Sequence, residues 1–306
     1  MRKFIVTTTI SKPSKALYKF LEKKDWDIII VGDLKTPHSE YESLPCLYMH
    51  PDYQNQKYAD LSDKIGWNKI QRRTLGFMEA FGLGADIIAT VDDDNIPYDD
   101  WGQNIHVGKE IEVDCYDPVN EVFDPLSVTN YNNLWHRGYP LSLVKTKNDV
   151  TYLGKIKRKV LVQADLWDGD PDIDAVERIA WSPLVKFNVN APYCSNKISP
   201  FNSQNTFIAR EVIPFYLALP FVGRMDDIWP SYIIQQFFPN SVIYNKATVY
   251  QERNPQNLIT NLKNEVLGYE TTLSLLRDLK NWMTYLPETA QLVYKSYLEW
   301  SWKKSV

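Results

Sequence analysis

Three consecutive aspartates, Asp92, Asp93 and Asp94, directly follow an apolar segment that runs from Ala85 to Val91. The apolar segment predicts a buried β-strand, and the aspartates then lie at its carboxyl end, where open α/β sheets bind their ligands. Carboxylates this close repel one another unless a cation lies among them. Mg²⁺ and Mn²⁺ prefer oxygen ligands and often share them with substrate phosphates. The cluster therefore predicts a cation site that holds the diphosphate of a nucleotide-sugar; the alternative is a solvated acidic turn.

Two clusters in the middle of the chain could supply a phosphate contact and a catalytic carboxylate. Arg137, after His136, offers a planar guanidinium for bidentate phosphate contact, although an ordinary surface arginine in a turn also fits. Five aspartates lie between positions 165 and 174. Among them, Asp170 and Asp172 are candidates to bind a cation, to hydrogen-bond a sugar, or to act as base or nucleophile. The alternative is an acidic loop that caps a helix beginning near Asp174.

Two later clusters could bind a sugar or an acceptor. Asn202 and Asn205 belong to a run of amides and hydroxyls that ends in an apolar segment. These groups could bind sugar hydroxyls or could form only a polar turn before a strand. Asp226 and Asp227 precede an apolar segment that predicts a helix, so they could cap that helix or present carboxylates to an acceptor. Capping and catalysis are compatible roles.

The first third of the chain alternates strands with helices. Strands are predicted over residues 3–10, 26–31 and 86–91, and helices over 15–24 and 68–83. This alternation predicts a parallel sheet with helices on its faces, the nucleotide-binding half of a Rossmann-like fold. Neither a G-x-G-x-x-G motif nor a P-loop occurs in the sequence, which disfavours dinucleotide and Walker-type nucleotide binding.

The rest of the chain predicts one large domain with a helical end. The middle is rich in strands and loops, and from Pro255 leucines recur at helical spacing. We expect a catalytic domain over residues 1–254 and a helical C-terminal extension over 255–306 that packs on it.

Composition narrows the function classes. The chain has 306 residues, a formal net charge of −4 and a sequence pI of about 5.7, so nucleic-acid binding is not predicted from charge. A basic run from Lys155 to Lys159 could form a local basic groove, but such a run is more often a solvated strand edge. Three cysteines without a C-x-x-C pair predict reduced thiols and a cytoplasmic location. No segment stays apolar for about 18 residues, so no membrane span is expected.

The ordered set of motifs resembles a known family. It is similar to the reversibly glycosylated polypeptides, which are plant UDP-arabinopyranose mutases, and to the related STELLO-type glycosyltransferases. The resemblance runs from the first strand to about residue 270 and rests on residues 7–10, 72–77, 91–94, 137–143, 170–175, 223–229, 254–255 and 261–265. Residues 200–206 look more like the STELLO branch.

This resemblance implies a GT-A-like, Rossmann-type α/β fold with a mixed central sheet, a UDP-sugar donor, and Mn²⁺ or Mg²⁺ held by Asp92 and Asp94. The residues expected in catalysis are Arg137, Asp170, Asp172, Asp226 and Asp227. The residues expected to bind the donor are Thr8, Thr9, Asp33, Arg72, Asp92, Asp93, Arg137, Asn202 and Asn205. Which carboxylate acts as base, and whether the sugar configuration is retained or inverted, stay open.

Two departures from the family pattern favour transfer over mutase activity. The mutases carry a second arginine seven residues after the first, where this chain has Val144, and a histidine before the Asn-Pro motif, where it has the segment from Tyr250 to Arg253. The leading prediction is a metal-dependent glycosyltransferase that moves arabinose or another sugar from UDP. The alternatives are a mutase-like isomerase and a non-catalytic sugar-nucleotide-binding or assembly subunit. The acceptor (glycan, protein, lipid-linked sugar or modified nucleic acid) and the oligomeric state stay open.

Overall fold

The computed structural model of the protein describes the backbone of residues 1–305 and the side chains of residues 1–301. The helices are α1 (Lys15–Leu21), α2 (Pro51–Ile65), α3 (Arg73–Gly82), α4 (Ala175–Ala180), α5 (Ile228–Phe237), α6 (Leu258–Arg277) and α7 (Glu288–Ser305). The strands are β1 (Lys3–Thr8), β2 (Asp27–Val31), β3 (Leu47–Met49), β4 (Ile87–Val91), β5 (Asn95–Pro97), β6 (Glu110–Pro118), β7 (Val150–Lys159), β8 (Val162–Gly169), β9 (Tyr193–Ser195), β10 (Asn205–Ala209) and β11 (Val242–Gln251).

The strands within residues 1–305 form one mixed sheet. Its order is β3-β2-β1-β4-β10-β8-β11-β9-β6-β7, and β5 pairs with β11 outside this path. The first four strands are mutually parallel. Strand β10 is antiparallel to both β4 and β8. The predicted α/β fold class, with a Rossmann-type half and a mixed central sheet, is confirmed by this topology.

The direction of the strands explains why the polar clusters meet. Strand β8 runs the same way as β4 because β10 is antiparallel to both, and β11 is parallel to β8. Strands β1, β2, β4, β8 and β11 therefore end at one edge of the sheet, and β10 begins there. The segments that follow β4, β8 and β11, and the segment that precedes β10, converge at this edge.

Burial explains why the central strands form. All five residues of β4 are buried, and so are all residues of β1 except the first. Helix α3 packs on β1 and β2, and the continuous burial of β1 and β4 matches their continuous apolar runs rather than an alternating pattern.

One predicted helix begins later than expected. Residues 68–83 predict a single helix, but α3 begins at Arg73 after a short 3₁₀ turn. Asn68 has a φ of 57°, in the left-handed region. The backbone N–H groups of Asn68 and Lys69 donate to the Asp33 carboxylate at 2.8 and 3.0 Å. These bonds fix the segment to the end of β2 and delay the helix. Helix α2 and strand β3 were not predicted.

The C-terminal helices pack on the rest of the chain. Helix α6 contacts α4 and the 3₁₀ turn Gly223–Met225, and α7 contacts α2. Gly223 has a φ of 60°, and a Cβ there would lie 1.9 Å from the carbonyl oxygen of Asn264 on α6. The boundary at residue 254 stays a prediction. No helix within residues 1–305 is long and apolar enough to cross a membrane.

The basic run lies on β7, an edge strand of the sheet. Lys157 and Lys159 are exposed, and in the register with β6 they lie opposite Glu112 and Glu110. Because each lysine lies opposite a carboxylate position on the neighbouring strand, the run is part of a strand of mixed charge rather than a basic groove.

Candidate active site

A cleft lies at the converging edge of the sheet. Its cavity volume is about 490 Å³, within the usual range for small-molecule sites. It is lined by Thr8, Lys69, Ile70, Gln71, Arg73, Asp92, Asp93, Asp94, Arg137, Asp172, Ser203, Gln204, Gly223, Arg224, Asp226, Asp227, Gln251, Arg253, Gln256 and Asn264. Predicted residues from five separate segments therefore meet in one place.

The three aspartates after β4 carry more negative charge than their surroundings compensate. Arg73 Nη2 lies 2.5 Å from Asp92 Oδ1. Asp94 Oδ1 is buried without a hydrogen-bond partner. Burial, followed by the charge of Asp92, raises the pKa of Asp94 to about 7. Burial also raises the pKa of Asp93. Carboxylates that are partly buried and this close together are stable only when one of them is protonated or a cation lies among them.

These carboxylates fit a divalent cation that is completed by other ligands. Within residues 1–305, no group of three or more His, Cys, Asp or Glu side chains is arranged as a ready-made metal site. The unpartnered oxygen of Asp94 beside Asp92 nevertheless suits Mg²⁺ or Mn²⁺. Such ions are often held by one or two carboxylates together with water and substrate phosphate.

Arg137 is bound on all sides by the protein. Its Nε and Nη2 donate to the two oxygens of Asp172, each at 2.9 Å. Nη2 also donates to Asp227 Oδ1 at 3.0 Å, and Nη1 donates to the carbonyl of Arg224. The residue is 5% exposed. The predicted diphosphate contact would have to displace these bonds, so the geometry favours a positioning role.

Asp172 lines the cleft, whereas Asp170 does not. Asp172 is fully buried and lines the cleft. Burial alone would raise its pKa, but the charge and hydrogen bonds of Arg137 hold the pKa of Asp172 well below its usual range. Asp170 instead pairs with Arg178 and Arg253 and is not among the lining residues. Asp172 is thus a permanently ionised part of the cleft floor.

The two aspartates before α5 differ in their hydrogen-bond partners and in how exposed they are to the cleft. Asp227 accepts from Arg137 and from the backbone N–H of Ser203 at 2.8 Å, and it is 4% exposed. Asp226 is half-buried and lines the cleft, and it accepts a 2.7 Å hydrogen bond from Gln71 Nε2. Burial and the charge of Asp227 raise the pKa of Asp226 to about 6. Asp226 is the carboxylate available for proton transfer near neutral pH.

The residues predicted at the ends of β1 and β2 form a side cavity next to the cleft. This cavity has a volume of about 350 Å³ and shares Thr8, Lys69, Ile70 and Asp93 with the cleft. Thr9 lines only the side cavity. Asp33 lies behind it and holds the segment at Asn68 and Lys69 by the backbone bonds described above.

Three further residues predicted to bind the donor line neither the cleft nor the side cavity. Arg72 is fully buried, donates to Gln54 Oε1 at 2.9 and 2.6 Å, and lies over the ring of Trp67. Asn205 is fully buried and accepts from Trp101. Asn202 is buried behind the floor, where its Nδ2 donates to Asp172 Oδ2 at 2.9 Å. The first two support the fold, and Asn202 orients Asp172.

Sequence reasoning missed several lining residues. Arg73 is adjacent to the predicted Arg72, and only the true start of α3 shows which arginine faces the aspartates. Gln71 lies directly before the motif at residues 72–77, and Arg224 lies inside the motif at residues 223–229. Arg253 occurs in the segment where a histidine was expected. None of these has a motif signal of its own.

Known proteins resemble this chain in sequence over about two thirds of its length. No model of a known protein family matches the chain. In sequence the chain is similar to the Arabidopsis thaliana protein "Probable glycosyltransferase STELLO2", with 23% identity over 223 residues that cover 67% of this chain and 29% of that protein. "Probable glycosyltransferase STELLO1" from the same plant is 24% identical over 223 residues with the same coverage. The match thus spans less than a third of these relatives' length. The predicted similarity to STELLO-type proteins is confirmed, whereas the similarity to the mutases stays a prediction.

Solved structures show weaker likeness. Glucosyl-3-phosphoglycerate synthase from Mycobacterium tuberculosis, in complex with Mn²⁺, UDP and glucosyl-3-phosphoglycerate, has a TM-score of 0.44 and 10% identity, covering 91% of this chain and 79% of that chain. A197 from STIV has a TM-score of 0.31 and 12% identity, covering 81% and 83%. Both scores are low, so the fold class rests on the strand order.

Proposed function

We propose that the protein is a metal-dependent glycosyltransferase that moves a sugar from a UDP-sugar to an acceptor hydroxyl. The observation that carries the proposal is the pairing, in one cleft, of an aspartate cluster containing an unpartnered buried oxygen with a separate carboxylate of raised pKa. The first suits a cation–diphosphate complex and the second suits a base. Sequence similarity to the STELLO proteins supports the same class.

Asp92 and Asp94 would hold Mn²⁺ or Mg²⁺. When bound, the cation supplies Lewis-acid stabilisation of the diphosphate leaving group. Arg73 fixes one oxygen of Asp92 and so orients that carboxylate. The nucleoside would occupy the side cavity beside Thr8 and Thr9, where Asp33 holds the wall formed by Asn68 and Lys69.

Asp226 would accept the proton of the acceptor hydroxyl. With a pKa of about 6 it is mostly ionised at pH 7, yet it is more basic than an ordinary aspartate. Gln71 orients it by a hydrogen bond. Arg137 and Asp172 do not react; they fix Asp227 and the floor beneath the reacting groups. A base acting in a single displacement inverts the configuration at the anomeric carbon, and inversion is part of the proposal.

Transfer ranks above mutase activity. Val144, at the position of the mutases' second arginine, packs against the core and is not among the residues that line the cleft. A non-catalytic binding subunit would not need a free carboxylate of raised pKa facing the cleft.

The three cysteines are free thiols, which suits a reducing compartment such as the cytoplasm.

A donor screen tests the proposal. Thermal shift with UDP-sugars in Mn²⁺ or EDTA identifies the donor, and UDP release in the presence of candidate acceptors measures transfer. We expect Mn²⁺-dependent stabilisation by at least one UDP-sugar, slow hydrolysis without acceptor, and negligible pyranose–furanose exchange of UDP-arabinose. No stabilisation by any nucleotide-sugar would contradict the proposal, and rapid furanose formation would make mutase activity the better assignment.

A further inference from the structure

Two arginines that line the cleft differ in how many of their donors are in use. Every nitrogen of the Arg137 guanidinium donates to a protein oxygen. Arg253 follows β11, and its Nη2 donates to Gln251 Oε1 at 3.2 Å and to the Pro171 carbonyl at 3.4 Å. Within the described part of the chain, Arg253 Nη1 makes no hydrogen bond. Its buried Nε, 3.2 Å from Asp170 Oδ1, also lacks a hydrogen-bond partner of good geometry.

Arg253 is tied to the aspartate cluster through the backbone of the residue before it. The N–H of Glu252, its neighbour, donates to the Asp94 carbonyl at 3.1 Å. Gly169 allows the ends of β8 and β11 to approach closely, because a Cβ at this position would lie 2.5 Å from the Gln251 carbonyl oxygen. The guanidinium is therefore held beside the Asp170–Asp172 segment, and Arg253 lines the cleft together with Asp94.

We propose that Arg253 is the leaving-group clamp of this cleft, and that its unused guanidinium edge hydrogen-bonds the diphosphate of the bound nucleotide. The inference rests on the proposed function. When the bond between the anomeric carbon and the diphosphate oxygen breaks, its electron pair goes to that oxygen. The acceptor oxygen forms the new bond to the anomeric carbon and gives its proton to Asp226. Arg253 stabilises the negative charge that develops on the departing UDP.

If Arg253 binds the diphosphate, its replacement should weaken the binding of UDP, which carries the diphosphate, but not the binding of uridine, which lacks it. The clamp also predicts that part of the UDP affinity survives without a divalent cation. A purely structural role for Arg253, holding Asp170 and the Pro171 carbonyl, would instead weaken UDP and uridine binding alike.

Arg178 provides a matched control. It binds the same two partners, Asp170 and the Pro171 carbonyl, but does not line the cleft. Affinities for UDP and uridine are measured by calorimetry in EDTA and in Mn²⁺, using the full chain and the variants Arg253→Gln, Arg253→Lys and Arg178→Gln. Melting curves report whether each variant is folded.

In EDTA, Arg253→Gln should weaken UDP binding roughly ten- to a hundredfold, which corresponds to one or two charged hydrogen bonds, and should change uridine affinity by less than about threefold. Arg253→Lys should lie between, because an ammonium lacks the planar fork. Arg178→Gln should change both affinities by less than about threefold, since a residue outside the cleft makes no ligand contact.

Three results would overturn the clamp: unchanged UDP affinity in Arg253→Gln, equal losses for UDP and uridine, or an equal loss in Arg178→Gln. If Arg253→Gln fails to fold, Arg253→Lys decides, and UDP affinity equal to that of the native chain would overturn the clamp. A native chain that binds no UDP in either buffer would overturn the proposed function as well. A native chain that binds UDP, with Arg253 variants unaffected, would overturn only the clamp.

Discussion

Replacing Arg137 by methionine should destabilise the fold far more than it weakens nucleotide binding. The guanidinium forms ion pairs with Asp172, which is fully buried, and with Asp227, which is 4% exposed. Removing one partner of a buried ion pair typically costs about 3–5 kcal/mol. A second route to the magnitude is protonation: neutralising an ordinary aspartate at pH 7 costs about 4 kcal/mol, because its pKa lies roughly three units lower. We therefore expect Arg137→Met to lose about 3–5 kcal/mol of unfolding free energy at pH 7.

The loss should depend on pH in a defined direction. Because Arg137 holds the pKa of Asp172 below its usual range, the pair stabilises the fold above the unfolded aspartate pKa. That contribution is lost as pH falls towards the depressed folded-state pKa. In the variant a proton can replace the missing cation, so the difference from the native chain should shrink to about 1–2 kcal/mol near pH 4.

Urea unfolding of a double-mutant cycle measures the effect. Arg137→Met, Asp172→Asn and the double variant should show a coupling energy of about 2–4 kcal/mol, within the range for directly contacting buried groups or slightly above it. Arg277→Met is the control: this arginine forms an exposed pair with Glu121, and its loss should cost less than about 1 kcal/mol.

Binding completes the test. UDP affinity of folded Arg137→Met should stay within about threefold of the native value, because every guanidinium nitrogen already donates to a protein oxygen. A variant as stable as the native chain, with UDP affinity reduced more than about tenfold, would refute the positioning role and restore the predicted diphosphate contact.

The remaining predictions concern the base, a buried carboxyl and a tight turn. Turnover of the native enzyme should rise with pH as Asp226 ionises, with its midpoint at about pH 6, and should level off about one pH unit higher. Asp226→Asn should lower kcat by roughly 10²–10⁴ while UDP affinity is kept; a flat pH profile or a kcat loss below about tenfold would exclude Asp226 as the base. Burial raises the pKa of Glu177 to about 9, so between pH 5 and 9 the folded state holds a proton that the unfolded state lacks, and native stability should fall by up to about 1.4 kcal/mol per pH unit from this group. Glu177→Gln should remove that slope in pH-dependent urea unfolding, and parallel curves for the two proteins would contradict the assignment. Gly223→Ala should cost about 1–3 kcal/mol more than Gly108→Ala, since both have positive φ but only the former Cβ meets the Asn264 carbonyl; equal urea midpoints would show that α6 yields freely.

The part of the site that the sequence predicts is the part encoded locally. Asp92, Asp93 and Asp94 follow their strand directly, so strand prediction alone places them at the correct edge of the sheet. Asp226 and Asp227 likewise precede a helix whose start is legible in the apolar pattern. Both sets line the cleft.

The part that was not predicted depends on partners far apart in sequence. Arg137 is engaged by Asp172 and Asp227, which lie 35 and 90 residues away, so its positioning role cannot be read from the motif around it. Arg72 and Arg73 are adjacent in sequence, but the start of α3 directs the Arg72 side chain into the core and the Arg73 side chain towards Asp92. That start is set by Asp33, which follows β2 and lies 35 residues before Asn68.

Calorimetric titration of UDP into the native chain and into Asp94→Asn, each with Mn²⁺ and with EDTA, tests the central claim most directly. Asparagine keeps the shape of the side chain after β4 but removes the charge that would hold the cation. We expect Mn²⁺ to strengthen UDP binding to the native chain, and we expect this gain to be lost in a folded Asp94→Asn variant. The same Mn²⁺-dependent gain in both proteins would contradict the assignment of Asp94 to the cation, and no gain in the native chain would contradict the metal-dependent transferase itself.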